Sequence, residues 1–159
     1  MIRKLAVGDG AIWRAIRLES LKNAPSAFSA KLDDWAQRPL SDFEAQLGKG
    51  GTFVAEDAGR VVGCACLDPD DNPQHAERGW LMSVYMSREA RGRGHAGALI
   101  GAVAAEAKAR GMTALLLDVG LANDAARRAY ARAGFREVPM AERPDGSDSA
   151  CELTMRLEL

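Results

Sequence analysis

The spacing of hydrophobic positions changes repeatedly along the chain, and each change marks an expected helix or strand. After Asp9, which can cap a helix, apolar residues recur at helical spacing until Pro25 ends the pattern. The sequence Ser41-Asp42-Phe43-Glu44 fits a capping box that begins a second, short helix. Runs of β-forming residues lie on either side of Asp57-Ala58-Gly59, which has turn composition. The first 67 residues therefore predict strands at 2–7, 52–56 and 60–67, and helices at about 9–23 and 41–48.

The second half of the chain alternates apolar strands with helices. The run Trp80–Met86 predicts a buried strand, His95–Arg110 carries apolar residues at helical spacing, and Thr113–Val119 predicts another strand. A strand, a helix and a strand joined by a right-handed crossover imply a parallel or nearly parallel pair. Asn123 can cap a helix that ends at Gly134, with Phe135 folding back as in a Schellman motif. Strands at 135–140 and 151–159, joined by the polar loop 141–150, complete one mixed α/β domain over residues 1–159.

Composition narrows the class of protein further. The chain has 159 residues, 47% of them hydrophobic, and a net charge of −1, which gives no reason to expect nucleic acid or a membrane surface as partner. Without a signal-peptide pattern or a membrane-spanning run, we expect a cytoplasmic protein. Cys64 and Cys66 share one strand face but have only His75 and His95 as further ligands, neither at ligand spacing. We therefore predict buried cysteines and no metal.

The chemistry of the chain concentrates between the strand at 80–86 and the helix at 95–110. Gly92 and Gly94 allow backbone conformations that a Cβ forbids, and they stand where the first N–H groups of a helix lack intrahelical partners. Free N–H groups and the helix dipole form an anion site. Arg91 and Arg93 add fork-shaped cationic donors that suit phosphate. The segment therefore predicts a cradle for a diphosphate.

A dinucleotide-binding turn is one alternative for this segment. Gly92, Gly94 and Gly97 spell G-x-G-x-x-G, and Asp118 follows Gly97 after 21 residues. However, five residues separate the strand end at Met86 from the first glycine, and about 40 residues after Asp118 are too few for a second mononucleotide-binding half. Both features disfavour the dinucleotide interpretation.

The spacing R-x-x-G-x-A, here Arg91, Gly94 and Ala96, resembles the pyrophosphate motif of the GNAT superfamily of acyl-CoA-dependent N-acyltransferases. The preceding strand with Val84-Tyr85-Met86 and the later segment LLLDVGLANDAARRAYARAGF (115–135) also match the family's signatures in order and spacing. The resemblance covers nearly the whole chain. It implies a central, mostly antiparallel sheet of six or seven strands with one splayed parallel pair, flanked by about four helices.

The resemblance also implies which residues bind acetyl-CoA, the acyl donor. Main-chain N–H groups of the glycine-rich turn would hold the pyrophosphate, the strand at 80–86 would bind the pantetheine arm through its exposed edge, and the following helix would add an amide and a cation. The predicted donor-binding residues are Val84, Met86, Arg91, Gly92, Arg93, Gly94, His95, Ala96, Gly97, Asn123 and Arg127.

Tyr130 stands at the family's general-acid position, where a phenol would protonate the departing thiolate; its alternative role is an aromatic core residue. The glutamate base of the histone-acetylating branch aligns with Trp80 here, so that base is missing. Glu77, near the same strand end, is the predicted substitute; Glu19, Glu56 and Glu152 are further candidates. Capture of a neutral amine, or a base acting through water, would need none of them.

The expected reaction is direct acetyl transfer to a primary amine of a small molecule or a peptide. The acceptor pocket is expected near Phe28 and the loop 141–150, where Asp145 and Asp148 could attract a cationic amine. The identity of the acceptor does not follow from the residues. Dimers are common in the resembling family, and the sequence leaves a homodimer open. The absence of a glutamate at Trp80 keeps a second function open, a non-catalytic coenzyme A or acyl-CoA sensor.

Overall fold

The computed structural model describes residues 1–25, 30–144 and 151–159. This part of the chain forms seven strands and five helices. The strands are β1 (Ile2–Lys4), β2 (Thr52–Asp57), β3 (Arg60–Pro69), β4 (Arg78–Met86), β5 (Ala114–Gly120), β6 (Arg136–Glu137) and β7 (Glu152–Glu158). The helices are α1 (Gly10–Asn23), α2 (Leu32–Ala36), α3 (Leu40–Gly48), α4 (His95–Ala109) and α5 (Asp124–Arg132).

All seven strands lie in one sheet with the order β1-β2-β3-β4-β5-β7-β6. Every neighbouring pair is antiparallel except β4 and β5, which run parallel on either side of the α4 crossover. The predicted sheet of six or seven strands with one parallel pair is therefore confirmed. A doubly wound dinucleotide-binding sheet is excluded, because such a sheet is mostly parallel.

Two helical layers cover the sheet, and each buries its own core. Helices α1, α2 and α3 pack on one face around Trp13, Phe43 and Val54. Helix α4 packs on the other face around Leu99, Val103 and a row of inward residues from the central strands, and α5 adds Tyr130 at the edge of this core. Because successive side chains of a strand point to opposite faces, each central strand contributes to both layers.

Three local predictions need correction. The capping box at Ser41 does not form: α3 begins at Leu40, its N-cap is Pro39, and no side chain caps it. No sequence pattern indicated α2, a five-residue helix whose buried Trp35 has the guanidinium groups of Arg17 and Arg38 at 5.4 and 4.1 Å from its ring centroid. In the predicted strand at 135–140 only Arg136–Glu137 is extended and paired, and a short 3₁₀ turn begins at Met140. Such short elements are difficult to predict from a few neighbouring residues, because tertiary contacts determine whether they form.

The parallel pair separates after three residue pairs. Arg78, Gly79 and Trp80 pair with Ala114, Leu115 and Leu116, and β4 and β5 do not pair with each other beyond these residues. On the other side of β4 the register with β3 shifts at Ser83, which adopts φ +56°, so β4 carries a bulge at this point. A bulge bends a strand and increases its twist. The gap between residues 81–86 of β4 and 117–120 of β5, called the splay below, is the central feature of the sheet.

Both ends of α5 are closed as Asn123 and Gly134 predicted. Gly134, at φ +102°, donates to Ala131 O at 3.0 Å, and Phe135 N–H donates to Tyr130 O at 3.0 Å, which is a Schellman motif. At the other end of α5, Asn123 Oδ1 accepts from Ala126 N–H at 3.2 Å, as expected for its N-cap. Both ends of α5 are therefore held in place, and with them the position of Tyr130.

The prediction that Cys64 and Cys66 are buried is confirmed. Cys64 and Cys66 lie on the α1 side of β3, and 0% and 7% of their surface is exposed. Burial raises the pKa of Cys66 to about 12, so this thiol stays protonated and packs as a small apolar group. Within the described residues no group of three His, Cys, Asp or Glu side chains is placed to hold a metal ion. None of the helices in the described ranges combines the length and apolar character that crossing a bilayer requires.

Candidate active site

The segment between β4 and α4, residues 87–97, forms a tight turn, called the glycine turn below. A 3₁₀ turn at Arg88–Ala90 follows the strand, and then Gly92 and Gly94 adopt φ values of +79° and +85°. An ideal Cβ on either glycine would meet no atom within 4 Å, so backbone conformation and not space selects glycine here. Gly94 is the N-cap of α4 and directs the first turn of this 15-residue helix into the open end of the splay.

The main-chain N–H groups in the second half of the glycine turn, residues 92–97, make no hydrogen bond within the described residues. Arg91 N–H donates to Arg88 O at 3.3 Å, and Ala98 N–H donates to Gly94 O at 3.1 Å. The six main-chain N–H groups that lie between these two, at residues 92–97, have no hydrogen-bond acceptor among the described residues. This row of donors at a helix N-terminus is the arrangement that binds phosphate oxygens.

The side chains of the glycine turn are restrained at its sides. Arg91 Nε donates to Met86 O at 3.2 Å, which places its guanidinium group over the end of β4. Arg93 Nη1 donates to Asp57 Oδ2 at 2.8 Å, and His95 Nε2 lies 3.7 Å from the same oxygen. The side chain of His95 is only 17% exposed and rests against Asp57 instead of pointing to solvent.

The edge of β4 that faces the splay carries main-chain groups without a partner strand. Ser87 N–H donates to Val62 O on the β3 side at 2.7 Å. Because main-chain groups alternate sides along a strand, those of Val84 and Met86 point the other way, towards β5. There β5 has already separated, since pairing ends at Trp80 and Leu116. An extended ligand that entered the splay would meet these groups in the geometry of an added strand.

Tyr130 lies on the α4 side of the sheet at the edge of the core. Its ring packs edge-on against Phe135, with ring centroids 5.9 Å apart. Burial alone raises its pKa to about 12, with no hydrogen bond contributing among the described residues. The phenol therefore keeps its proton over the whole physiological range.

The two remaining donor-binding predictions on α5 differ in their surroundings. Asn123 is exposed at the helix N-terminus, and its Oδ1 caps the helix. The Arg127 guanidinium already has three partners: Glu137 at 2.8 Å, Leu121 O at 3.1 Å and Asp124 at 3.8 Å. A contact between Arg127 and coenzyme A would require an exchange of these partners.

Glu77 directly precedes β4, and its side chain is 50% exposed. A hydrogen bond from its own backbone N–H, and then His75 Nδ1 at 3.4 Å, hold the pKa of its carboxylate below the usual value. It does not line the large cleft described next. Trp80, which is predicted to align with the glutamate base of the histone-acetylating branch, donates from Nε1 to Asp70 Oδ2 at 2.9 Å.

A polar cleft of about 790 Å³ opens on the α1 side of the sheet, in front of β3, β4 and β5. Burial opposes ionisation of Asp70 on its wall, but hydrogen bonds from Trp80, Asn72 and Arg78 outweigh burial and hold its pKa below the usual value. The lining residues are Lys49, Asp68, Pro69, Asp70, Asp71, Asn72, His75, Arg78, Trp80, Met82, Asp118, Glu142, Arg143 and Pro144.

Sequence reasoning missed most of this cleft. Asp68 was part of a predicted loop, yet it continues β3 opposite Trp80. Asp118 entered only through the dinucleotide alternative, although its place in an apolar strand, with buried residues on both sides, was a usable signal. Phe28, the predicted acceptor-side residue, and Asp145 and Asp148 lie outside the described residues.

A seven-stranded sheet with a splayed parallel pair, and a turn of free N–H groups at the mouth of the splay, define an acyl-CoA-dependent transferase fold. The sequence profile of the Acetyltransferase (GNAT) family matches residues 14–135, more than three quarters of the chain, so the protein belongs to the GNAT family of acetyltransferases. Among proteins with curated descriptions, none matches this sequence significantly.

Solved structures agree on the fold. A ribosomal-protein-alanine N-acetyltransferase from Brucella melitensis is 23% identical with a TM-score of 0.78, covering 100% of this chain and 99% of that one. A GNAT-family acetyltransferase from Streptococcus pneumoniae is 21% identical with a TM-score of 0.80, covering 100% and 98%. The acetyltransferase yncA from Salmonella typhimurium, described as putative and solved with acetyl-CoA, is 22% identical with a TM-score of 0.73, covering 100% and 93%.

Proposed function

We propose that this protein transfers an acetyl group from acetyl-CoA directly to a primary amine of a small molecule or a peptide. The observation that carries the proposal is the row of six main-chain N–H groups at residues 92–97, which have no acceptor among the described residues and stand at the open end of the splay. Membership of the GNAT family and the acetyl-CoA bound to the Salmonella protein support the choice of donor.

The glycine turn binds the pyrophosphate of coenzyme A in this proposal. Its donors are the N–H groups of Gly92, Arg93, Gly94, His95, Ala96 and Gly97. The positive end of the α4 dipole adds to them, as does the Arg91 side chain at the end of β4. Hydrogen bonds to a charged oxygen contribute about 1.5–3 kcal/mol each, so a few of them give micromolar affinity.

The pantetheine arm then lies in the splay. The main-chain groups of Val84 and Met86 bind its amides as a neighbouring strand would, and Asn123 contacts it from the start of α5. This path leads the thioester towards the level of Met82 and Asp118, where the parallel strands begin to part. Holding both reactants here supplies a large share of the rate, because alignment removes the entropy cost of a bimolecular encounter.

Tyr130 assists the departure of sulfur. The amine nitrogen forms a bond to the carbonyl carbon, the carbon–sulfur bond breaks, and its electron pair stays on sulfur. With a pKa of about 12, Tyr130 is a weaker acid than a thiol of pKa about 8.5, so it acts mainly by donating a hydrogen bond to the developing thiolate. Nitrogen loses one proton to solvent as the amide forms, and solvent supplies the proton that finally neutralises the thiolate.

The amine reacts in its neutral form, because a protonated nitrogen has no electron pair to donate. Glu77 is not required as the base in this scheme: its carboxylate is paired with His75 and does not line the polar cleft. The polar cleft, on the α1 side of the splay, is the space for the acceptor.

Calorimetric titration with acetyl-CoA tests the donor site, and we expect a dissociation constant in the micromolar range. Release of free thiol in the presence of a panel of primary amines tests the transfer. A protein that does not bind acetyl-CoA contradicts the proposal. Tight binding without transfer to any small amine or peptide supports the alternative of a coenzyme A sensor, which the tryptophan at position 80 suggests.

A further inference from the structure

We propose that Asp118 contacts the acceptor amine during transfer, and that the polar cleft in front of it selects a small primary amine with a second positive charge. This inference rests on the proposed acetyl transfer and names the acceptor class for the same site.

Asp118 is the first residue of β5 beyond the last parallel pair that points to the α1 side. Pairing stops at Trp80 and Leu116, and the side chains of Leu117 and Val119 belong to the core under α4. The side chain of Asp118 therefore points to the opposite face, into the polar cleft that it lines. Tyr130 packs on the α4 face, so the two ionisable groups approach the thioester from opposite sides of the sheet.

The carboxylate of Asp118 is held in one orientation. Thr154, on the neighbouring strand β7, donates from Oγ1 to Asp118 Oδ1 at 2.6 Å, and Thr154 is completely buried. The pairing of Asp118 with Thr154 in the antiparallel ladder fixes both backbones. Within the described chain Oδ2 has no recorded partner, so it can accept a hydrogen bond from a ligand. A buried donor on a rigid strand is the support that a positioned catalytic carboxylate requires.

The charges of the polar cleft favour a cation. Its walls carry five carboxylates and three cations, with His75 as a further titratable group. One cation, Arg78, is engaged by Asp70 at 2.6 Å. The remaining carboxylates are Asp68, Asp71, Asp118 and Glu142, against Lys49 and Arg143.

Asp68 and Asp118 form two ends of this acidic surface. They stand on strands that lie on either side of β4, offset by two residues, because Asp68 faces Trp80 and Trp80 faces Leu116. Strand geometry separates their Cα atoms by about 12 Å. The pKa of Asp68 is raised, first by burial and further by the charge of Asp71, while Lys49 and Arg17 oppose the rise. A flexible diamine can place one nitrogen at each end of this acidic surface.

The two carboxylates then have different tasks. Asp118 Oδ2 accepts a hydrogen bond from the attacking neutral nitrogen and stabilises the positive charge that grows as the N–C bond forms. The proton leaves nitrogen for the Asp118 carboxylate and passes to water, while the C–S electron pair leaves with sulfur. Asp68 binds the second, unreactive ammonium group, so it contributes to recognition and not to bond breaking.

Three amines of equal chain length separate these tasks: 1,5-diaminopentane, 1-aminopentane and 5-aminopentanoate. We expect kcat/KM to be highest for the diamine and at least about tenfold lower for the amine with a carboxylate, because the acidic side chains that line the cleft repel that carboxylate. Asp118→Asn lowers kcat for the diamine about 100-fold and also reduces transfer to 1-aminopentane. Asp68→Asn raises KM for the diamine about fivefold and leaves the kinetics of 1-aminopentane nearly unchanged.

Asp42→Asn is the matched control, since it removes the same charge from the exposed surface of α3 and is expected to leave transfer unchanged. The acetyl-CoA dissociation constant is measured for every variant. If acetyl-CoA fails to bind to the unmodified protein, the proposed function itself fails. If acetyl-CoA binds and 5-aminopentanoate is the best acceptor, or none of the three amines is acetylated, the acceptor class is wrong. Unchanged kinetics in a folded Asp118→Asn variant contradict the role of Asp118.

Discussion

The glycine turn and the polar cleft are built in opposite ways. The glycine turn consists of consecutive residues, 87–97, and offers main-chain N–H groups whose direction is set by local backbone conformation. The polar cleft offers side chains from β3, β4, β5 and the segment 142–144, which lie far apart in the chain. Donor recognition therefore depends on local conformation, whereas acceptor recognition depends on strand register. The same glycine turn can therefore serve proteins with different acceptors, and the polar cleft can change without disturbing the glycine turn.

The largest effect that separates the two regions is expected from Tyr130→Phe. The ring can keep its contact with Phe135, while the hydroxyl that stabilises the leaving thiolate is lost. We expect kcat to fall about 100-fold, because one hydrogen bond donor to developing charge contributes at least this much. The acetyl-CoA dissociation constant, measured by calorimetry, is expected to change less than about twofold. An unchanged kcat would remove Tyr130 from the chemistry and leave it as a core residue.

A smaller effect, confined to the donor, is expected from Gly94→Ala. Alanine at φ +85° costs about 1–2 kcal/mol, so the free turn relaxes and binding must restore the strained conformation. The acetyl-CoA dissociation constant is then expected to rise about 5–30-fold. Gly111→Ala is the matched control, because Gly111 has φ +83° and equal open space at the other end of α4. Its strain should lower thermal stability without changing the affinity. Equal affinity losses in both variants would argue against a binding role for the glycine turn.

A modest effect on stability, with little effect on binding, is expected from Arg127→Ala. The structure uses this guanidinium group to tie α5 to Glu137 on β6 and to Leu121 O. The side chain is 31% exposed, so the loss in the free energy of unfolding is expected to be about 0.5–1 kcal/mol, or about 1–4 °C in Tm. A calorimetric titration that shows a tenfold weaker binding of acetyl-CoA would restore the predicted phosphate contact of Arg127.

The smallest effect concerns pH. An amine acceptor becomes more reactive as pH rises, because more of it is neutral. Tyrosine with an ordinary pKa would lose its proton near pH 10 and produce a falling limb, but burial raises the pKa of Tyr130 to about 12. We therefore expect kcat at saturating amine to rise and then level off up to about pH 10.5, without a decline. A falling limb centred below pH 10 would show that Tyr130 titrates normally in the working enzyme.

Periodicity predicted the long elements of the fold and failed at the short ones. The four longest predicted strands and the helices α1, α4 and α5 appear close to their expected positions, because each has several apolar residues at a regular spacing. Helix α2 has five residues and depends on the packing of Trp35 against two arginines, which no local pattern contains. The capping box at Ser41 failed because Pro39 precedes it and lets α3 begin earlier.

The two parts of the candidate site differ in the same way in how far the sequence predicts them. The glycine turn was visible because its residue types, its glycines and its helix start are adjacent in sequence. The cleft was not visible, because Asp68 and Asp118 are 50 positions apart and meet only through the register of three strands. Glu77 was chosen for its nearness in sequence to Trp80. Side chains that are close in sequence can point to different faces of a sheet, so closeness to Trp80 does not place Glu77 on the same surface. Trp80 lines the polar cleft, and Glu77 does not.

The position of β7 between β5 and β6 has a consequence for how the molecule assembles. Strand β6 pairs only with β7, and β5 has β7 as its antiparallel neighbour along all seven residues. During synthesis, the helices and strands up to α5 leave the ribosome before the strand that connects them to β6 exists. A nascent chain therefore exposes an unpaired sheet edge at β5 until β7 emerges, and an unpaired edge favours aggregation during this interval.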